Sequence, residues 1–343
     1  MPIQIYPASL ESHEGDLIKL FRRHLTKDSD EKRFDWLYRK NPLGLAQAWI
    51  ATDTDKGTIV GAASGFPRKF YYRGKEKLGW VLGDFCLAEG YRSMGPALQL
   101  QRACLQALVP PYEFCYDFPS RSMMAIYKRM GIQQTGTLMR WAKPLRIDEK
   151  LEVIFRSRGA AKAFGIVLNK LLAARGWKGK KGSCQIDLVQ GPCGEEFTAL
   201  DQSLRRERVI CADRTASYLN WRYLECPSKN HEILVARRDG DLLGYVVLKN
   251  DPEDARIVDL VSLEEPGVIA RLIARAVDKL RLSGAKSVSL VAGQGHRWSQ
   301  LFERAGFRRR ESSPVIFSVR EEQKAEEATF YSGSYFMEGD RDS

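Results

Sequence analysis

Asp84-Phe85-Cys86-Leu87-Ala88-Glu89-Gly90-Tyr91-Arg92-Ser93-Met94-Gly95-Pro96-Ala97 starts as a buried strand, passes through a loop and opens a helix. Proline suits the first turn of a helix, where its missing N–H is not needed. The N–H groups at such an end have no partner within the helix and stand at the positive end of its dipole, so they can hold phosphate. Gly95 lets the main chain come close to a pyrophosphate, and Ala97 keeps the first turn slim.

Working outward, the sequence around this segment is echoed later in the chain. Trp36 stands six residues before Pro42, and Trp221 six residues before Pro227. A strand-like run follows each: Ala48–Thr52 in one half, Ile233–Arg237 in the other. Next come a polar turn and a second run, Ile59–Ala63 or Leu243–Val247, which is the pattern of a hairpin. Each half then presents an apolar run with a central aspartate, Asp84 or Asp259. Helices are expected near 96–108 and 267–282, then a strand, then a short helix ending at Gly131 or Gly306. Both aspartate-to-glycine distances are 47 residues. Equal spacing across a strand-helix-strand-helix unit argues for a duplicated module.

Composition bounds the answer. The 343 residues are 44% hydrophobic and 28% charged, enough apolar material for two cores. No apolar run reaches the length of a bilayer span, and Met1–Tyr6 lacks the pattern of a secretory signal. The seven cysteines are scattered without a CxxC pair, so neither a disulfide framework nor a zinc site is indicated, and a reducing cytoplasm is expected. Of the formal charge of +11, a net +7 lies between Arg146 and Lys181. A nucleic-acid binder would instead interleave basic and aromatic residues across a folded face, so no nucleic acid is expected. Within that basic segment Phe164, Val167, Leu168, Leu171 and Leu172 fall at helical spacing. It reads as an amphipathic linker helix packed on the modules, with peripheral contact to an anionic membrane as the alternative. The four histidines show no ligand spacing and read as surface or capping residues, and Trp36 and Trp221 as packing anchors.

Arg92-x-x-Gly95-x-Ala97 after a strand, opening a helix, resembles the acetyl-CoA pyrophosphate loop of the GNAT N-acetyltransferases. Leu87–Arg92 resembles the entry to that loop, with Glu89 where the family usually has proline. Ser120 to Gly131 resembles the family's following helix, with Ser120 in place of Asn, Met123 in place of Ala, and Tyr127 and Gly131 matching. Motifs cover about residues 3–145; residues 185–320 resemble the family in order of elements alone.

The resemblance implies an α/β (α+β) fold of two tandem GNAT-like modules, each a mixed, mostly antiparallel sheet flanked by helices. The expected divisions are 1–145, a linker at 146–184, a degenerate module at 185–320 and an acidic tail at 321–343. The resemblance also implies an N-acetyltransferase that uses acetyl-CoA as co-substrate and no metal. Main-chain N–H groups of Ser93, Met94, Gly95, Pro96 (which contributes position only) and Ala97 would hold the pyrophosphate, beside Arg92. The strand edge at Phe85, Cys86 and Leu87 would pair with the pantetheine, and Ser120 would lie near it. Asp84 is the candidate base and Tyr127 the candidate acid for the leaving thiolate. The acceptor is expected to be a small-molecule amine, anionic or an amino sugar.

A shift of 175 places Gly267, Ala270 and Leu272 opposite Arg92, Gly95 and Ala97, and Phe302 opposite Tyr127, so the second copy is expected to be inactive. Two other readings stand beside this one: a non-catalytic CoA-binding module, and an aminoacyl or peptidyl transferase of the FemABX type.

Overall fold

The strand-like runs of both halves become strands, and they join into one sheet. The computed structural model describes residues 2–106, 108–146, 184–207, 210–263, 265–319 and 335–341. The expected linker helix at 146–184 and most of the expected tail therefore lie outside the described residues.

In the first half β1 (Ile3–Pro7) leads to helices α1 (Glu14–His24) and α2 (Glu31–Phe34). Strands β2 (Gln47–Asp53), β3 (Thr58–Tyr72) and β4 (Lys75–Leu87) follow. Then come α3 (Met94–Gln106), β5 (Tyr112–Asp117), α4 (Arg121–Arg129) and β6 (Gly136–Pro144). The second half repeats the order: β7 (Gln185–Leu188), α5 (Glu195–Glu207), an added short strand β8 (Ile210–Ala212) and α6 (Ala216–Leu219). It continues with β9 (His231–Arg238), β10 (Asp241–Lys249), β11 (Asp254–Ser262) and α7 (Pro266–Leu282). It closes with β12 (Ser287–Gly293), α8 (Ser299–Arg304) and β13 (Arg308–Val319).

Within each half every pairing is antiparallel except one parallel pair, β4 with β5 and β11 with β12. Gly131 and Gly306 close α4 and α8 with φ of +78° and +89°, a conformation in which a side chain would be strained. Both short helices α2 and α6 are capped in the same way. Asp30 accepts from the Arg33 N–H, and Thr215 from that of Tyr218. Each then runs into a π-helical turn, Asp35–Arg39 or Asn220–Leu224.

The strand order is β1-β2-β3-β4-β5-β13-β6-β12-β11-β10-β9-β7, with β8 added against β3. The last strand of each half is exchanged. β6 pairs with β12 of the second half, β13 pairs with β5 of the first, and β6 and β13 pair with each other at the centre. The halves are thus related by an approximate two-fold axis between β6 and β13.

Trp36 and Trp221 meet near the same relation. Their rings stack at 5.4 Å, and each indole N–H donates to the other's main-chain carbonyl, at 2.7 and 2.9 Å. One core, including Phe21, Tyr38, Phe66, Tyr218 and Val247, runs across both halves on this face of the sheet. On the opposite face each half has its own core, under α3 and α4 or under α7 and α8. Strands covered on both faces account for the near-continuous apolar runs.

Of the expected acidic tail, Tyr335–Arg341 are described, and they insert into the molecule. Phe336 is 1% exposed and packs against Phe70, Tyr116 and Phe118. Asp340 pairs with the buried Arg214 at 2.9 Å. Among the described residues no helix is long and apolar enough to cross a membrane.

Candidate active site

Strand β4 is where the two halves of the candidate site meet. It pairs with β5 from Leu78 to Val81, and no further. Along its other edge it stays on β3 as far as Leu87. Between Val81 and Leu87 the parallel strands have diverged, so the β5-facing edge of β4 has no strand partner among the described residues. Within this stretch the β3–β4 register slips, and Asp84 takes φ of +45°. That is a bulge, a feature that re-aims a side chain and recurs beside active sites. A non-glycine residue held there costs roughly 1–3 kcal/mol, which the surroundings must supply.

Beyond Leu87 the chain reaches the loop at 92–97. Arg92, Ser93, Met94 and Gly95 are exposed and Ala97 is buried. The Ala97 N–H already bonds to Ser93 O at 3.3 Å, and helix α3 begins at Met94. A Cβ built on Gly95 would meet nothing within 4 Å, so the loop offers open room for a diphosphate. Arg92 is braced from beneath, its Nε donating to Leu87 O at 3.0 Å. Phe85 is half-buried; Cys86 is buried, and burial with nearby Asp84 pushes its thiol up to about 12, which leaves it inert. Ser120 caps α4 by accepting from the Met123 N–H at 3.2 Å.

Asp84 turns toward α2. Arg33 grips its carboxylate with two hydrogen bonds of 2.8 and 3.0 Å, and the Tyr38 hydroxyl adds a third at 2.8 Å. Both carboxylate oxygens are occupied. Tyr127 lies across the sheet, in the core under α3 and α4. Its hydroxyl accepts from Gln101 at 2.9 Å and donates to Asp117, at the end of β5, at 2.6 Å. Burial, and then the Asp117 charge, raise the Tyr127 pKa well above its ordinary value. The structure therefore brings the loop and the β4 edge together, and keeps Asp84 and Tyr127 on opposite faces.

The second half has no equivalent of the loop. β11 ends at Ser262 and α7 starts at Pro266, a connection three residues shorter than that from Leu87 to Met94. Glu265 stands at that helix start, its charge paired with Arg238 at 2.7 Å. Phe302 is fully buried where Tyr127 stands in the first half. Asp259 keeps its place, and Arg214 and Tyr223 bond it much as Arg33 and Tyr38 bond Asp84.

A cleft of about 630 Å³ opens between the halves. Asp28, Asp30, Arg33 and Asp84 line it from the first half, and Arg222, His231, Lys249, Arg256 and Glu338 from the second. His231, expected as a surface or capping residue, is half-buried and packs on Tyr223. Burial, then Lys249, Arg222 and Arg256, depress its imidazole to about 3. Burial and Arg256 also lower the Lys249 ammonium. Sequence reasoning missed Arg33, Lys249 and Glu338 altogether. No motif marks them; the one signal was their nearness in sequence to Trp36, the second hairpin and the acidic end. His296 also departs from expectation: it is buried, and its Nδ1 accepts from the Trp298 N–H at 3.2 Å.

Neither a family model nor a curated protein matches this sequence. Solved structures do. A GCN5-related N-acetyltransferase from Anabaena variabilis is similar at 15% identity over 95% of this chain and 75% of that one, with a TM-score of 0.68. One from Kribbella flavida is similar at 14% identity over 94% and 72%, with a TM-score of 0.62. Saccharomyces cerevisiae N-myristoyltransferase with bound myristoyl-CoA is similar at 11% identity over 92% and 83%, with a TM-score of 0.60.

Proposed function

Taking the fold of the GCN5-related N-acetyltransferases as premise, we propose that this chain is an acyl-CoA-dependent N-acyltransferase, with acetyl as the acyl group. One observation carries the reading: β4 leaves β5 at Val81 and runs, with an open edge, to an exposed glycine loop that starts a helix. The Ser93 and Ala97 N–H groups are already bonded within the turn, so the main-chain N–H groups of Met94 and Gly95 would hold the diphosphate, with Arg92 beside them, and the β4 edge at Phe85–Leu87 the pantetheine amides. When bound, the thioester supplies an activated acyl carbon. Transfer forms one N–C bond and breaks one C–S bond, and the proton lost by the amine ends on the thiol.

The acceptor is a primary amine in the cleft between the halves, on a small anionic molecule or an amino sugar. Asp84 draws the amine electrostatically. Its oxygens already accept three hydrogen bonds, so it is better suited to that than to removing a proton. Tyr127 is fully buried and already donates its one O–H to Asp117, so it braces the end of β5. Giving its proton to a thiolate of ordinary pKa about 8.5 would run uphill by about 1.4 kcal/mol per unit of pKa difference. The reading puts the chain in the cytoplasm, a compartment that keeps thiols reduced.

Calorimetric titration with acetyl-CoA tests the reading. In Gly95→Glu the new Cβ meets no protein atom within 4 Å and the backbone lies outside the left-handed region, so the fold is expected to persist. Its carboxylate would occupy the diphosphate's space, and affinity should drop by roughly 100-fold or more, about 2.7 kcal/mol. Unchanged affinity in a folded variant would overturn the loop assignment.

A further inference from the structure

The two walls of the cleft carry opposite charge. The first half contributes three carboxylates, Asp28, Asp30 and Asp84, against one guanidinium, Arg33. The second half contributes three cations, Arg222, Lys249 and Arg256, against one carboxylate, Glu338. Arg256 and Glu338 pair with each other. Arg222 donates to Gly339 O and Arg341 O and lies over the Trp36 ring. The Lys249 ammonium has no ion-pair partner among the described residues.

Hydrogen-bonding capacity is left over on the same wall. Glu338 is 9% exposed, and its buried Oε2 has no partner; nor has the buried Nδ1 of His231. Buried polar atoms without partners are few in native proteins and call for an explanation, since each has given up its hydrogen bonds to water. Two such atoms, on His231 and Glu338, belong to residues that line one cavity of small-molecule size together with Lys249.

We infer that the second half of the cleft is the subsite for an oxyanion on the acceptor, a carboxylate or phosphate seated on Lys249 and His231, with the acceptor's amine turned toward the Asp84 wall. The acceptor is then an amine with an acid at its other end, and the second module, without a CoA loop, selects it. Lys249 supplies charge and His231 a neutral hydrogen bond. Glu338 Oε2 takes a hydroxyl or amide donor from the same molecule. This inference rests on the acyltransferase reading for the amine's direction, and on the geometry of the second half for the acid's.

The test uses the full chain saturated with CoA and titrated with ethanolamine, β-alanine and phosphoethanolamine, which carry a hydroxyl, a carboxylate and a phosphate. One or both acidic amines should bind at least ~10-fold tighter than ethanolamine; whichever leads identifies the oxyanion. Lys249→Gln, which breaks no ion pair among the described residues, should abolish that preference, and His231→Gln should reduce it. Thermal melts check that both variants fold. Equal binding of the three amines, or a preference that survives Lys249→Gln, overturns the inference and leaves the acyltransferase reading standing. Failure of CoA itself to bind overturns the acyltransferase reading. A Lys249-dependent preference for the acidic amines without CoA would still support the oxyanion subsite.

Discussion

Burial, then Lys249, Arg222 and Arg256, keep the His231 imidazole neutral down to about 3, with Tyr223 against its ring and the carboxylate of Glu338 on the same wall of the cleft. An unfolded chain protonates that ring near 6.5. Above pH 6.5 neither state carries the proton, and the native state keeps its full stability. As pH falls from 6.5 toward 3 the unfolded state gains a proton that the native state refuses, and stability falls by about 1.4 kcal/mol per unit. Between pH 7 and 5 the natural chain should lose about 2 kcal/mol more than His231→Gln. Urea midpoints at the two pH values check this, and equal slopes would exclude it. Such a residue is hard to read from sequence. Isolated from other histidines and without ligand spacing, it takes its chemistry from cations brought in by three separate strands and turns. Asp84 was more legible, as a lone acid inside an apolar strand. Its partner Arg33, 51 positions earlier, was not, because ion pairing across a fold leaves no local pattern.

At the scale of elements, the π-helical turns at Asp35–Arg39 and Asn220–Leu224 present the two tryptophans to each other. Each ring shields, and donates to, the other's main chain. Trp36→Ala should cost about 3–5 kcal/mol, the range for losing a buried aromatic. Trp221→Ala should cost a similar amount. The double variant should cost clearly less than the sum, because either change already destroys the shared contact. Guanidinium unfolding of the four chains measures the coupling; additive losses would mean that the two rings act separately. The equivalence of these turns was legible, since each tryptophan precedes its proline by six residues. Their reciprocal contact was not, because periodicity identifies an element and is silent about what it meets. The glycine loop was legible for the opposite reason: a helix start and the chain leading into it are local chemistry.

Across the whole molecule, the last described segment acts as a strap. Tyr335, Phe336 and Met337 are buried, Phe336 within the first half's aromatic cluster. Asp340 partners Arg214, and Arg68 and Arg222 both donate to Arg341 O. A chain ending at residue 334 should lose roughly 5–8 kcal/mol from these three apolar side chains alone, enough to erase much of a typical domain's stability. Urea denaturation followed by tryptophan fluorescence would register the loss, and a midpoint matching that of the full chain would refute it. The sequence reads only as an acidic tail at 321–343, because the cations that Glu338 and Asp340 meet lie far away in sequence. The duplicated architecture was readable from matched spacings, whereas the exchange of β6 and β13 was not: alternation marks a strand without naming its neighbour.

That exchange has a consequence during synthesis. The edge of β5 in the first half is covered by residues 316–319, so it stays open until about 200 further residues after Asp117 have left the ribosome. Translation at about 5–20 residues per second leaves this edge bare for on the order of ten seconds or more. Throughout that interval the nascent chain must be kept from pairing with a neighbour.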